Sequence, residues 1–230
     1  MKKILSSIKK LDETYNLIEP SDKIAIAVSG GKDSLLLASA LSKYRMYSKK
    51  DFKLISITID LGFENFDLTN VTKYLSDLRI EHIIQKTQIA QIVFDIRKEK
   101  NPCSLCSKMR KGVLYETAKA QGCNKVALGH HLDDAIDTFY LSLFYERRFF
   151  TIKPKIYLSR ADIWAIRPLL YANESEVISC VKNYRLPVVK SPCVMDKTSN
   201  REKIRELIKD MPIDIKPPTA KALIDNDFLQ

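Results

Sequence analysis

Residues 23–34 read KIAIAVSGGKDS, and this stretch decides the class of fold. A β-prone run ends at Val28, two glycines interrupt it, and the apolar residues of 35–44 predict a helix. The same strand, loop and helix pattern recurs, with strands predicted at 52–59, 82–85 and 125–128 and helices at 68–78, 112–120 and 135–144. This alternation predicts an α/β fold in which a parallel sheet carries helices on both faces.

The remaining sequence predicts one domain over residues 1–230, because no linker is long enough to separate two. We expect an N-terminal helical segment over 1–21 and an extended excursion or hairpin over 149–168. Helices are predicted at 174–184 and 200–211, and Pro217-Pro218 marks a C-terminal tail over 212–230.

Composition excludes a fibrous or disordered chain, since 45% of the 230 residues are hydrophobic and 29% are charged. The net charge of +10 favours a polyanionic partner such as nucleic acid, although a lysine-rich proteome explains it equally well. No stretch approaches the roughly 20 apolar residues of a membrane span, and residues 1–10 lack the apolar core of a signal peptide. We therefore expect a cytoplasmic protein.

The loop Ser29–Ser34 has the features of an anion site. Its glycines permit a tight turn and a close approach to a ligand, the following helix offers free amides, and Lys32 adds a charge. The string matches neither G-x-x-x-x-G-K-[ST] nor G-x-G-x-x-G, and the glycine pair alone would also suit a plain turn. Asp60 ends the second predicted strand, where it either reads a nucleoside or lies in a solvated turn.

The five cysteines favour metal binding or catalysis over a disulfide framework. Cys103 and Cys106 form a C-x-x-C at a predicted helix start, a pattern shared by zinc sites, redox dithiols and iron–sulfur clusters. Cys123 and Cys180 have the pattern of core residues, whereas Cys193 lies in a loop from which its thiol is free to reach another site. Three thiolates are one short of a closed zinc site and suit a cubane cluster with one open iron.

A third motif, GHHLDD at residues 129–134, follows a predicted strand and should lie at the same sheet edge as the loop. Asp133 and Asp134 are suited to holding Mg²⁺, and His130 to moving a proton. The alternative is a helix cap formed by an aspartate, with the histidines as hydrogen-bonded supports.

The string SGGKDS resembles the PP-loop ATP pyrophosphatase superfamily. The ordered motifs CSLCSKMRKG (103–112), ALGHHLDD (127–134) and RPL (167–169) resemble the tRNA 2-thiocytidine synthetase (TtcA) family over about residues 22–210. The resemblance implies a Rossmann-like adenine nucleotide alpha hydrolase fold and the cofactors ATP, Mg²⁺ and a [4Fe-4S] cluster. The ATP-binding residues implied are Ser29, Gly30, Gly31, Lys32, Asp33, Ser34, Asp60 and Gly129. The catalytic group implied is Lys32, Asp33, His130, Asp133 and Asp134, and the cluster ligands implied are Cys103, Cys106 and Cys193.

The activity implied is an ATP- and iron–sulfur-dependent tRNA sulfurtransferase. The O2 atom of cytidine 32 in the anticodon loop would attack the α-phosphate of ATP, and sulfide would then replace that oxygen to give 2-thiocytidine. The partners implied are tRNA and a sulfur donor, either a cysteine desulfurase or free sulfide, with no membrane; a homodimer is left open. The alternatives are another PP-loop tRNA-modifying enzyme, for uridine thiolation or lysidine-type ligation, and a non-catalytic zinc-containing RNA-binding module.

Basic residues accompany these motifs and favour an RNA-docking surface, although a solvated face explains most such runs. One group joins Arg147-Arg148 to Phe149-Phe150, whose rings are suited to stacking on a base. A second group near the C-terminus, expected to point outward, contains Lys197, Arg201, Lys203, Arg205 and Lys209.

Overall fold

A computed structural model describes residues 1–98, 102–193, 200–211 and 213–225, and these residues build a six-stranded sheet flanked by helices. The strands are β1 (Lys23–Ala27), β2 (Lys53–Asp60), β3 (Glu81–Lys86), β4 (Lys125–Ala127), β5 (Lys155–Leu158) and β6 (Ile163–Ile166). Their order is β3-β2-β1-β4-β6-β5, and every pair is parallel except β5 with β6. The predicted parallel sheet is confirmed, and the 149–168 excursion supplies an antiparallel hairpin at one edge.

The helices largely follow the predicted order. They are α1 (Lys2–Tyr15), α2 (Lys32–Tyr47), α3 (Thr69–Asp77), α4 (Pro102–Ala120), α5 (Leu132–Glu146), α6 (Glu174–Asn183), α7 (Asn200–Lys209) and α8 (Lys216–Asp225). The stretch Gln91–Ile96, for which no element is predicted, forms a π-helical turn. Within the segment predicted as a tail, α8 is a helix, because prolines in a first turn lack only amides that have no intrahelical acceptor.

Two apolar clusters cover the faces of the sheet. In β1, Ile24 and Ile26 pack into the cluster that contains α1, α2 and much of α5, while Ala25 faces the other cluster. The second cluster is built from α4, the π-helical turn and the opposite side chains of β2, including Ile57. Because β1 is buried on both faces, its sequence is a continuous apolar run rather than an alternating one.

The strand order reverses between β1 and β4. From β1 the chain proceeds through β2 to β3 on one side, whereas β4 and then β6 extend the sheet on the other. In an open parallel sheet, the loops on either side of such a reversal leave a crevice at the carboxyl ends of the strands. The loop after β1 carries SGGKDS and the loop after β4 carries GHHLDD, so the topology brings these two motifs together.

A buried lysine, Lys125, lies at the opposite, amino-terminal edge of the sheet, where β4 begins. Its side chain is 1% exposed, and its Nζ lies 2.7 Å from Glu19 Oε2 and 2.7 Å from Asp22 Oδ2. The same nitrogen donates a hydrogen bond of 3.1 Å to the carbonyl of Leu17. The lysine thus ties the segment before β1 to β4, and its charge is balanced by the buried Asp22.

We predict that Lys125→Ala lowers the free energy of unfolding by about 3–5 kcal/mol, because it leaves Asp22 buried without its cation. Equilibrium unfolding in urea measures this change. The control is Lys119→Ala, which breaks the exposed pair with Asp162 (2.8 Å) and should cost at most about 1 kcal/mol. An equal loss of stability in the two variants would contradict the prediction.

Candidate active site

The SGGKDS loop turns sharply between β1 and α2. Gly30 has a φ of +81°, a conformation that favours glycine, and its carbonyl accepts a hydrogen bond of 2.9 Å from the amide of Val189. The buried Ser34 hydroxyl donates to the Gly31 carbonyl (2.9 Å) and accepts from the Ser29 amide (3.2 Å). These bonds hold the loop so that the N-terminus of α2, with its free amides and positive dipole, opens onto a cavity.

That cavity has a volume of about 610 Å³ and lies where the strand order reverses. Its charged lining comprises the four cations Lys32, Arg110, Lys111 and Lys190 and the two carboxylates Asp33 and Asp134. Apolar side chains supply most of the remaining wall, including Ile57, Phe63, Phe66 and Leu128. An excess of cations beside apolar walls suits a ligand that combines an aromatic base with a chain of phosphates.

Lys32 projects from the first turn of α2 and is held by two carboxylates. Its Nζ lies 2.8 Å from Asp33 Oδ1 and 3.2 Å from Glu174 Oε1 at the start of α6. Burial alone would lower the pKa of Lys32, but the hydrogen bonds and charges of the two carboxylates outweigh it and raise that pKa. The ammonium is therefore a fixed positive charge on the cavity wall, as a phosphate-binding lysine requires.

Asp60 lies beside the cavity rather than in its wall. The wall includes its neighbours Ile59 and Leu61, while Asp60 Oδ1 accepts a hydrogen bond of 2.9 Å from the amide of Gly62. The Asp60 side chain therefore takes part in a turn, as one of the two interpretations expects. Its contact with a nucleoside stays a prediction.

Three residues of the GHHLDD motif reach the cavity: Gly129, His130 and Asp134 line it. Asp134 Oδ2 also accepts a hydrogen bond of 3.0 Å from the amide of His131, which makes Asp134 a cap of α5. The capping and site interpretations of this aspartate are therefore compatible, because one carboxylate both caps the N-terminus of α5 and faces the cavity.

Asp133 is directed away from the cavity, toward two other helices. Its Oδ2 accepts from the amide of Glu174 at 2.7 Å, and its Oδ1 from Nζ of Lys216 in α8 at 3.1 Å. Burial would raise the pKa of Asp133, but these two hydrogen bonds and the lysine charge prevail and lower it. Since both oxygens are engaged, the geometry favours a positioning role, and its predicted contact with Mg²⁺ stays a prediction.

His131 is absent from the catalytic group expected from the sequence, yet the structure places it among three carboxylates. The side chain is 1% exposed, and its Nε2 lies 3.7 Å from Asp33 Oδ1 and 3.6 Å from Asp134 Oδ2. Its Nδ1 lies 3.8 Å from Asp133 Oδ2. Two adjacent histidines in one loop carry no periodicity that separates the buried one from the one facing the cavity, so sequence alone could not choose between them.

The cysteines divide as the sequence predicts into core and accessible thiols. Cys123 and Cys180 are buried, and burial raises the pKa of Cys123 to about 11. Cys103 is exposed, while Cys106 and Cys193 are half-buried. Burial raises the pKa of Cys106, the Arg110 charge opposes this, and the nearby Cys193 and Cys103 thiols raise it further. Cys106 is therefore near both of the other accessible thiols.

The chemistry of the donor set suits a three-cysteine cluster, since two accessible thiols come from the start of α4 and the third, Cys193, from the chain that follows α6. Within the described ranges, no three His, Cys, Asp or Glu side chains already converge in a metal-binding arrangement. Ligation of a cluster by these three cysteines stays a prediction.

The basic C-terminal group is only partly as expected. Lys197 lies outside the described residues. Arg205 does not point outward: its Nε donates to Asp137 Oδ2 at 2.6 Å, and its Nη2 lies 3.8 Å from Asp134 Oδ1. The expectation was wrong for this residue because α7 packs against α5, whose acidic side chains attract the guanidinium.

Across the described part of the chain, no helix combines the length and apolarity needed to cross a membrane.

Gly129 is where the two motifs touch. A Cβ added to it would lie 3.1 Å from the carbonyl carbon of Asp33 and 3.2 Å from the amide nitrogen of Ser34. Only a residue without a side chain lets the loop after β4 pack directly on the backbone that starts α2.

We predict that Gly129→Ala displaces the SGGKDS loop, weakening ATP binding about tenfold or more and costing about 1–3 kcal/mol of stability. Titration calorimetry and urea unfolding measure the two effects. Gly112→Ala in α4 is the matched control, because nothing lies within 4 Å of its added Cβ and alanine favours a helix. Unchanged ATP affinity in Gly129→Ala would refute the prediction.

Comparison with known proteins agrees with this geometry. Residues 2–211 match the family model described as a PP-loop domain. The chain is similar to proteins named tRNA-cytidine(32) 2-sulfurtransferase: 34% identical over 208 residues to that of Ralstonia pickettii, 33% over 213 residues to that of Geobacter sulfurreducens and 34% over 229 residues to that of Syntrophotalea carbinolica. The matches cover 90%, 91% and 96% of this chain and 66%, 83% and 88% of the relatives.

Solved structures share the fold. The U34-tRNA thiolase NcsA from Methanococcus maripaludis, described with its [4Fe-4S] cluster, superposes with a TM-score of 0.74 at 23% identity, covering 98% of this chain and 77% of that one. The NH3-dependent NAD synthetase of Campylobacter jejuni gives 0.53 at 19% identity, covering 98% and 84%. With its phosphate loop, its GHHLDD motif and these relatives, the chain belongs to the PP-loop family and, within it, to the tRNA-cytidine(32) 2-sulfurtransferases.

Proposed function

We propose that this chain is an ATP-dependent tRNA sulfurtransferase that converts cytidine 32 to 2-thiocytidine and holds a [4Fe-4S] cluster through Cys103, Cys106 and Cys193. One observation carries the proposal: the cavity beside the PP-loop is bordered by both cysteine-bearing segments. Arg110 and Lys111, one turn after Cys106, line it, as do the residues just before Cys193. The two segments that carry the three accessible thiols therefore border the proposed nucleotide cavity.

In the first half of the reaction, the chain's own groups bind ATP and stabilise charge. Lys32 and the N-terminus of α2 face the phosphates, so negative charge that develops on them meets fixed positive groups. The cytidine O2 forms a bond to the α-phosphorus, and pyrophosphate departs with the electron pair of the broken bond. Arg110 and Lys190 line the same cavity and add positive charge where polyphosphate would lie.

In the second half, sulfide adds to C2 and AMP leaves with the former O2. When bound by three cysteines, a [4Fe-4S] cluster supplies one iron without a protein ligand, at which a sulfide can be held. The chain's part is to provide thiolates; burial raises the pKa of Cys106, and the charge of the neighbouring Arg110 opposes that rise. The apolar wall of the cavity limits access of water to the adenylated cytidine.

The partners follow from this chemistry. We include tRNA as substrate and either a cysteine desulfurase or free sulfide as sulfur donor, with the enzyme acting in the cytoplasm. A homodimer is compatible with the proposal. Uridine thiolation is the second candidate, because the fold is shared with a U34-tRNA thiolase.

We predict that Cys103→Ala, Cys106→Ala and Cys193→Ala each lose iron and tRNA thiolation, because a three-ligand cluster tolerates no missing thiolate. Cys123→Ala and Cys180→Ala are the controls; both thiols are buried in the apolar core, so they should lose stability but keep colour and activity. The measurements are iron content, visible absorbance and nucleoside mass spectrometry after reaction without oxygen. Full activity of Cys193→Ala, or 2-thiouridine as the product, would overturn the proposal.

An aromatic patch at the end of α5 offers a surface for tRNA. It consists of Phe144, Tyr145, Phe149 and Phe150, which are 49%, 57%, 72% and 40% exposed. Arg148 stacks over the Phe150 ring at 4.7 Å, and the Ser142 hydroxyl accepts from the amide of Phe150 at 3.2 Å, which fixes the turn. The chain folds back along α5 after the helix ends, since the Phe149 ring lies 6.3 Å from that of Phe139, so the patch lies on the same helix whose N-terminal residue Asp134 lines the cavity.

We predict that Phe149→Ala weakens tRNA binding by about 1–3 kcal/mol through lost stacking, and that Arg147→Ala reduces the salt dependence of binding by one phosphate contact. Filter binding of tRNA at several salt concentrations measures both changes. Tyr47→Ala is the control, since Tyr47 is equally exposed (71%) but lies outside the patch. If Phe149→Ala alters the oligomeric state and leaves tRNA affinity unchanged, the patch is a protein contact.

A further inference from the structure

Glu174 is the one acidic side chain outside the PP-loop that contacts Lys32 among the described residues. Its Oε1 lies 3.2 Å from Lys32 Nζ, on the side of the ammonium that faces α6. The other partner of the lysine is Asp33, its neighbour in sequence, so Glu174 alone ties the ammonium to a separate element. Neither the sequence motifs nor the reaction described above assigns this glutamate a role.

The backbone of Glu174 is itself fixed. Its amide donates a hydrogen bond of 2.7 Å to Asp133 Oδ2, and the other oxygen of Asp133 accepts from Lys216. Helix α6 is anchored in the core by Val177 and Cys180, both buried. The carboxylate therefore starts from a rigid position, whereas the four-carbon stem of a lysine is flexible by itself.

Capping of α6 does not account for this carboxylate. Asn173 is the N-cap of the helix, and Glu176 makes the reciprocal capping contact, accepting a hydrogen bond of 3.3 Å from the amide of Asn173. Glu174, at the first helical position, is instead directed at Lys32. The two glutamates thus separate the roles of helix capping and lysine contact within one turn.

We propose that Glu174 is a positioning residue that holds the Lys32 ammonium in place for the charge that develops on the α-phosphate. This inference rests on ATP being the ligand of the cavity, the first half of the proposed function. The carboxylate also repels bound phosphates, so removing its charge should favour ATP binding while leaving the ammonium poorly placed for the reaction. Loss of the Glu174 charge should therefore raise the affinity for ATP and lower the rate of pyrophosphate release. A purely structural role would not produce this combination.

The experiment compares Glu174→Gln with Glu176→Gln. Both substitutions remove one negative charge from the first turn of α6 and keep an oxygen that accepts hydrogen bonds, but only the first alters the contact with Lys32. For Glu174→Gln we expect ATP to bind about threefold more tightly and the kcat of tRNA-dependent pyrophosphate release to fall about tenfold. For Glu176→Gln both values should stay within about twofold of the parent protein.

A double-mutant cycle with Lys32→Ala completes the test. In that background Glu174→Gln should reduce kcat no further, because the ammonium that it positions is gone. Equal effects of the two glutamine variants, or weaker ATP binding together with a lower rate in Glu174→Gln, would overturn the inference. The ATP-binding measurement needs neither tRNA nor cluster, so a failure of the thiolation proposal, with ATP bound but no 2-thiocytidine formed, is distinguishable from a failure here.

Discussion

The contact between Gly129 and the backbone of Asp33 and Ser34 is the constraint on which the site depends. Here the loop after β4 packs directly on the start of α2, at the point where the strand order reverses. A Cβ at this position would hold the loop a few tenths of an ångström away from that backbone. With the loops in contact, the phosphate-binding helix end and the GHHLDD motif form one wall. Both loops contribute to the cavity lining, through Lys32 and Asp33 on one side and His130 and Asp134 on the other.

Electrostatics then ties the C-terminal helices to this wall. The N-terminus of α5 concentrates carboxylates where the helix dipole favours them, and these attract cations from two other helices. Lys216 of α8 pairs with Asp133, and Arg205 of α7 pairs with Asp137 and approaches Asp134. Apolar residues of both helices, such as Ile208 and Leu223, pack into the same core. Elements distant in sequence thereby set the position of groups at the PP-loop.

The placement of the cysteines beside the nucleotide cavity has a chemical rationale. An adenylated cytidine is an activated electrophile that water would attack, so activation and sulfur transfer are best carried out in one shielded place. The hydrogen bond from the Val189 amide to the Gly30 carbonyl serves this arrangement, because it holds the segment leading to Cys193 against the phosphate loop. Helix α4 provides another side of the cavity through Arg110, which follows Cys106 by about one turn.

The sequence by itself determined the α/β class, the phosphate loop and the division of cysteines into buried and accessible groups, because these depend on local periodicity, on glycine and on short spacings. It could not determine which of His130 and His131 is buried, that Asp133 accepts a hydrogen bond from the Glu174 amide in α6, or that Arg205 turns toward α5. It also could not show Glu174 beside Lys32, since 142 residues separate them. Such contacts join elements distant along the chain, and only packing of the helices on the sheet decides which polar groups meet.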